Sequence, residues 1–186
     1  MRICAFAGTR QMPHKMRLFV AIDCGELKDY LLQLQKQIPD AELSFAKEFH
    51  LTLKFLGEVQ PQNVDEIIGR LKNTKLKDFV FHLDNLSYFE SHNKLNVLWI
   101  GISPEKDVLD LQKEIDGKLK NLFAKERDYK PHITLARVKN VHDKKDFIEK
   151  YSKIRVEKKE IKVNGFRLMQ STLASEGPMY EELRVF

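Results

Sequence analysis

Cysteine is nearly absent from this chain of 186 residues: Cys4 and Cys24 are the only two, and neither has a partner at CxxC spacing. A disulfide framework and a cysteine-based zinc site are therefore not expected, and both residues read as reduced thiols. Long apolar runs are missing too, none approaching the ~20 residues that a membrane-spanning helix needs. The opening MRICAFAG has an apolar stretch too short for the core of a signal peptide, so a cytoplasmic protein is expected. No HExxH, cysteine cluster or Asp-rich triad points to a metal centre. Nor is there an acidic excess: 32 Lys and Arg against 27 Asp and Glu leave a net charge of +5, which favours anionic partners, phosphates among them. What remains is an ordinary globular composition, 42% hydrophobic and 32% charged, long enough for one domain or two small lobes.

The chain repeats itself. HLTLKFLGEV begins at His50 and HITLARVKNV at His132, an offset of 132 − 50 = 82 residues. The same offset relates LFVAI from Leu18 to WIGI around Ile100 and to LRVF near the end. It also relates FVFHLDNLSYF from Phe79 to IKVNGFRLMQS from Ile161. Helical stripes separate these strand-like segments. Leu27, Leu31, Leu34 and Ile38 form the first, and Val64, Ile67, Ile68 and Leu71, behind Pro61, the second. Val108, Leu111, Ile115, Leu119 and Leu122 form the third, behind Ser103 as N-cap and Pro104 as first helical residue. Phe147, Ile148 and Tyr151 anchor a weaker fourth.

Each half thus reads strand, helix, His-x-Thr strand, helix, strand. The expected fold is α+β: a two-lobed, pseudo-twofold duplicated domain over residues 16–186, with halves of roughly 16–97 and 98–186. Each lobe would be a small sheet backed by helices, and a central cleft would carry the two motifs. The pattern does not say whether the sheets are antiparallel. Residues 1–15 stand outside the scheme as an extra N-terminal segment, either the product of an upstream start or an additional edge element.

Side chains at i and i+2 of a strand share a face. His50 and Thr52 therefore project together, as do His132 and Thr134. Two imidazoles and two hydroxyls around one centre suit in-line attack at phosphorus. One neutral His accepts a proton from the attacking oxygen, one charged His gives a proton to the leaving oxygen, and the hydroxyls bind nonbridging oxygens where charge builds. His14, His82, His92 and His142 lack such company. Lys54 shares the His50 face by alternation and is a candidate phosphate ligand, with Ala136 at the equivalent position of the second copy.

FHLTLKFLGEV with PHITLARV downstream resembles the paired His-x-Thr motifs of the two-histidine phosphoesterase superfamily. MRLFVAID, VLWIGI and STLASEGPMYE narrow the likeness to the bacterial and archaeal RNA 2′,3′-cyclic phosphodiesterases, also called 2′-5′ RNA ligases. The resemblance spans Met16 to Phe186. It implies a bilobal fold, no metal or other cofactor, and hydrolysis of a 2′,3′-cyclic phosphate to a 2′-phosphate. It implies His50 as proton donor to the leaving 3′ oxygen and His132 as proton acceptor from water, with 2′-5′ ligation as the reverse geometry. It also implies a phosphate-binding role for Arg137, five residues after the second His, although strict alternation turns Arg137 away from His132.

The implied partner is an RNA with a cyclic phosphate end, tRNA fragments included, met by a monomer. Basic residues between Arg137 and Lys162 are candidates to track an RNA backbone, and Phe49, Phe89 and Tyr129 to stack on a base. The same residues also fit a phosphodiesterase of small cyclic phosphates, or a non-catalytic RNA-binding module that grips phosphate.

Overall fold

A computed structural model of the chain describes residues 15–174 and 177–186. The segment 1–14, with Cys4 and His14, lies outside the described residues. Strand β1 (Met16–Asp23) leads through a 3-10 turn at Gly25–Leu27 into helix α1 (Lys28–Gln35), then β2 (Glu42–Phe45), β3 (His50–Val59) and α2 (Val64–Leu71). The hairpin β4 (Phe79–Ser91) and β5 (Lys94–Ser103) precedes α3 (Lys106–Leu119), β6 (Ile133–Asn140) and α4 (Lys144–Ser152). Strands β7 (Glu160–Val163), β8 (Arg167–Ala174) and β9 (Gly177–Val185) end the chain.

Every strand pairing among the described residues is antiparallel. The order is β7-β4-β5-β6-β3-β1-β8-β9, with β2 paired to β6 off this path. Along this path the sheet has two four-stranded halves, β2 adding a fifth strand to the one with β6, each with a His-x-Thr segment innermost, and they meet where Leu51 pairs with Ile133. Each half draws strands from both halves of the sequence: β4 and β5 lie beside β6, while β8 and β9 return to β1. The α+β, duplicated, two-lobed arrangement is as expected, with the two small sheets continuous at the centre.

The helices form because their apolar stripes have a sheet to cover. Leu31 and Leu34 of α1, Ile67 and Leu71 of α2, and Val108, Leu111, Ile115 and Leu119 of α3 are buried. So are Phe147 and Tyr151 of α4. They join Leu18, Val20, Ile22, Leu51, Leu53, Ile100, Ile133 and Leu135 of the strands in one apolar core. No described helix is long and apolar enough to cross a membrane.

Two local expectations change. Helix α3 starts at Lys106 with Glu105 as its N-cap. Ser103 is instead the last residue of β5, paired with His82, and with the helix starting three residues later it stands outside the N-cap position. The segment from Ile161 is two strands, where its counterpart from Phe79 is one. The break falls at Gly165, where an added Cβ would stand 2.7 Å from the Phe186 carbonyl oxygen. Phe166 and Phe186 exchange backbone hydrogen bonds there, so the chain end takes the place of a continuous strand.

Candidate active site

The two copies of the motif carry the same backbone irregularity. In β3, Ala21 pairs with Thr52 and Val20 with Lys54, leaving Leu53 as an extra residue. In β6, Trp99 pairs with Thr134 and Leu98 with Ala136, leaving Leu135 extra. Leu53 and Leu135 are 82 residues apart, both fully buried. A β-bulge of this kind shifts the side-chain alternation by one, so the residue two beyond each Thr turns to the core and the residue three beyond turns out.

This corrects the reading of Lys54, which is 2% exposed and turned away from the histidines. Its Nζ pairs with the Asp116 carboxylate of α3 and donates to the Ala124 carbonyl at 2.7 Å. Lys54 is therefore no phosphate ligand. The same shift brings Arg137 to the cleft in the second copy and Phe55, 62% exposed, in the first.

A cleft of about 570 Å³ is lined by His50, Thr52, His132, Thr134 and Arg137, together with Arg17, Phe55 and Tyr180. Five of the six expected site residues thus share one cavity. A smaller cavity of about 240 Å³ borders His50 as well, between Asp23, Lys28, Glu48 and Arg167, and contains no other motif residue.

Each imidazole is held between aromatic rings. His50 lies 4.9 Å from the Phe19 centroid and 4.9 Å from that of Tyr180. His132 lies 4.8 Å from Phe89, edge to face, and 5.7 Å from Trp99. Burial among these rings disfavours the charged form and pushes His50 down to about 4, opposed by the Asp23 carboxylate and reinforced by His132. Burial also lowers His132, opposed by its hydrogen bond to the Lys130 carbonyl.

That bond, 2.7 Å from His132 Nδ1 to Lys130 O, fixes the tautomer. A carbonyl only accepts, so Nδ1 carries the hydrogen and the neutral ring keeps its lone pair on Nε2. The arrangement suits His132 to accept a proton. The two hydroxyls and the Arg137 guanidinium are donors matched to an anionic oxygen cluster. Among the described residues, no group of three or more His, Cys, Asp or Glu side chains is placed so as to hold a metal ion.

Of the candidate stacking residues, Phe49 is core at 3% exposed. Tyr129 spends its hydroxyl on the Thr52 carbonyl, 2.9 Å away. Phe89 lies in β4 against His132. Several of the basic residues are occupied as well: Lys144 pairs with Glu90, Lys150 with Asp146 and Lys153 with Glu149. Phe19, Trp99 and Tyr180 carry no functional signal in the sequence, since apolar rings on strands read as core. The repeat offset carried the only signal for Phe55, which occupies the position of Arg137.

The LigT-like phosphoesterase family model matches residues 22–99 and again 100–180. The chain is 37% identical over 176 residues to an RNA 2′,3′-cyclic phosphodiesterase of Methanocaldococcus jannaschii, covering 91% of this chain and 99% of the relative. It is 34% identical over 177 residues to one of Archaeoglobus fulgidus, covering 92% and 99%. A crystal structure of a Thermus thermophilus protein superposes with a TM-score of 0.75 at 26% identity, covering 92% of this chain and 97% of that one. Escherichia coli LigT in its apo form superposes at 0.71 and 21% identity, covering 93% and 97%, a likeness of fold. Two family matches end to end, one for each His-x-Thr segment, place this chain in the LigT-like phosphoesterase family.

Proposed function

We propose that the chain hydrolyses 2′,3′-cyclic phosphates at RNA ends to 2′-phosphates, with no metal required. One observation carries this reading: two His–Thr pairs related by a local dyad, with Arg137 turned into the same cleft. His132 Nε2 takes a proton from water as its oxygen attacks phosphorus. The P–O3′ bond breaks in line, and His50 gives its proton to O3′. Thr52, Thr134 and Arg137 hold the nonbridging oxygens as charge builds on them. The turnover leaves His132 charged and His50 neutral, and proton exchange with solvent resets the pair. Relatives named RNA 2′,3′-cyclic phosphodiesterase along almost their whole length support the substrate class.

A 5′-hydroxyl in place of water gives a 2′-5′ linkage by the same path, a minor reaction where water is in excess. The substrate is an RNA end, tRNA fragments included. The motif set is complete within one chain, which supports a monomer, and the buried free thiol of Cys24 fits the reducing cytoplasm. The test is a short RNA ending in a 2′,3′-cyclic phosphate, incubated with the protein and EDTA. Appearance of a 2′-phosphate supports the reading; an unchanged end, a 3′-phosphate product, or dependence on added metal overturns it.

A further inference from the structure

The reaction above leaves one buried ionic group without a task. Lys54 and Asp116 are 2% and 6% exposed, and burying an ion pair generally gives no more stability than an apolar pair of similar volume. The repeat offers an internal comparison. In the other copy the strand position, 82 residues away, holds Ala136, and the helix position with the same burial is Gln35, an uncharged polar side chain. The fold therefore accepts an uncharged pair at this place, and the charges need another explanation.

Their contacts supply one. Lys54 Nζ donates to the Ala124 carbonyl at 2.7 Å. Asp116 Oδ2 accepts from the Glu126 backbone N–H at 3.2 Å and from Gln112 at 2.7 Å. Ala124 and Glu126 belong to the loop that runs from α3 to His132. The same loop is tied once more to β3 by Tyr129, whose hydroxyl donates to the Thr52 carbonyl. Lys130, two residues before His132, supplies the carbonyl that sets its tautomer. The loop before His50 is tied in the reciprocal way, by Gln35 Nε2 donating to Ala46 and Leu135 carbonyls at 2.9 and 2.8 Å. Each loop that delivers a motif histidine is thus fastened to the strand of the other one.

We propose that the buried Lys54–Asp116 pair is a positioning device for catalysis: it fixes the loop that delivers His132 to the strand that carries His50. Lys54 touches no substrate; it acts through Ala124 and, with Asp116, through the backbone leading to Lys130 and His132. This inference rests on the phosphodiesterase reading, since the distance it sets matters only if both imidazoles act on one phosphorus.

The test removes both charges together. A Lys54→Met, Asp116→Leu double variant replaces the pair by apolar side chains of similar volume. It is expected to fold with a Tm no lower than the wild type, while kcat on a cyclic-phosphate RNA falls by about 10-fold or more and KM barely moves. A substrate-free readout accompanies it. Trp99 is the only tryptophan and lies 5.7 Å from the His132 ring, so its fluorescence follows His132 protonation, and the midpoint of that pH titration is expected to shift. Should the double variant not fold, Tyr129→Phe removes the parallel tie at the cost of one oxygen and is expected to give the same split of kcat from KM. Wild-type kcat and an unmoved titration in a folded variant overturn the proposal, as does a loss that only tracks a lowered Tm. A wild type inert on cyclic phosphates, with the Trp99 titration still shifted, sinks the phosphodiesterase reading and leaves the loop tie standing.

Discussion

Leu51 pairs with Ile133 where the two halves of the sheet meet, and 133 − 51 = 82 is the offset that relates the two motifs. Each is the other's counterpart, so the dyad of the duplication passes between them. Extending this antiparallel register by one residue sets His50 toward Thr134 and His132 toward Thr52. The site is therefore built from one half-site used twice, and its two histidines differ only through what surrounds them.

Those surroundings set the pH dependence. Both imidazoles are pushed below their ordinary value by burial, His50 to about 4. The competent free enzyme has one proton on the pair, so kcat/KM is expected to peak on the acid side of pH 6.5. A bound phosphate anion favours the charged imidazole, so the optimum for kcat is expected at higher pH than that for kcat/KM. Steady-state profiles from pH 4 to 9 check both; a kcat/KM optimum above pH 7 contradicts the burial argument.

The same burial acts on stability, with a definite sign. His50 titrates near 4 when folded and near ~6.5 when unfolded. Between these values the unfolded chain binds more protons, so stability rises with pH there and is lost as pH falls from 6.5 through 4. His50→Gln removes that proton uptake. Denaturant melts at pH 7, 5.5 and 4 are expected to show a shallower acid loss in the variant than in the wild type, and equal slopes would count against it.

Lys54 and Arg137 should separate cleanly. Lys54→Met strands the Asp116 carboxylate in the core and is expected to destabilise by about 3–5 kcal/mol. Arg137→Met changes a cleft side chain and is expected to stay within about 0.5 kcal/mol of wild-type stability. Its effect should appear in RNA binding, where the slope of log K against log salt drops by about 1. Chemical denaturation and salt titrations of both variants decide the matter; a stability loss at Arg137 or a salt-slope change at Lys54 reverses these assignments.

Thr52 and Thr134 are expected to matter to the transition state more than to binding. Replacing either by Val keeps the shape and removes a hydroxyl that faces charge as it develops. About 10- to 100-fold should be lost from kcat with little change in KM. Steady-state kinetics on a cyclic-phosphate RNA measure it, and a purely KM effect assigns the hydroxyls to ground-state binding instead.

How much of this was written in the sequence follows the physics of strands. The offset between His50 and His132 exposed the duplication, and alternation placed Thr52 and Thr134 correctly because each lies only two residues from its histidine. Beyond them alternation failed. The bulges at Leu53 and Leu135 insert a residue of ordinary apolar character, and nothing in a Leu marks it as unpaired. Strict alternation therefore puts Lys54 in the cleft and Phe55 in the core, the reverse of where the bulge sets them. The resemblance pointed to Arg137 against strict alternation, and the second bulge explains why its side chain reaches the cleft. The exchange of strands between halves is illegible for a related reason: β8 beside β1 and β4 beside β5 occupy equivalent places in the repeat, and only packing decides which copy joins which sheet. The β2 strand, four residues long and largely exposed, has no period to reveal it.

The pairing of the two histidines is tested most directly by single and double replacement. His50→Ala, His132→Ala and the double variant are compared by kcat/KM on an RNA ending in a 2′,3′-cyclic phosphate, with EDTA present. If the imidazoles act as one acid–base unit, each single change costs on the order of 10²-fold or more, and the double variant is scarcely slower than the slower single. Losses that multiply, or a single variant with near wild-type activity, would show that the two histidines do not work as a pair.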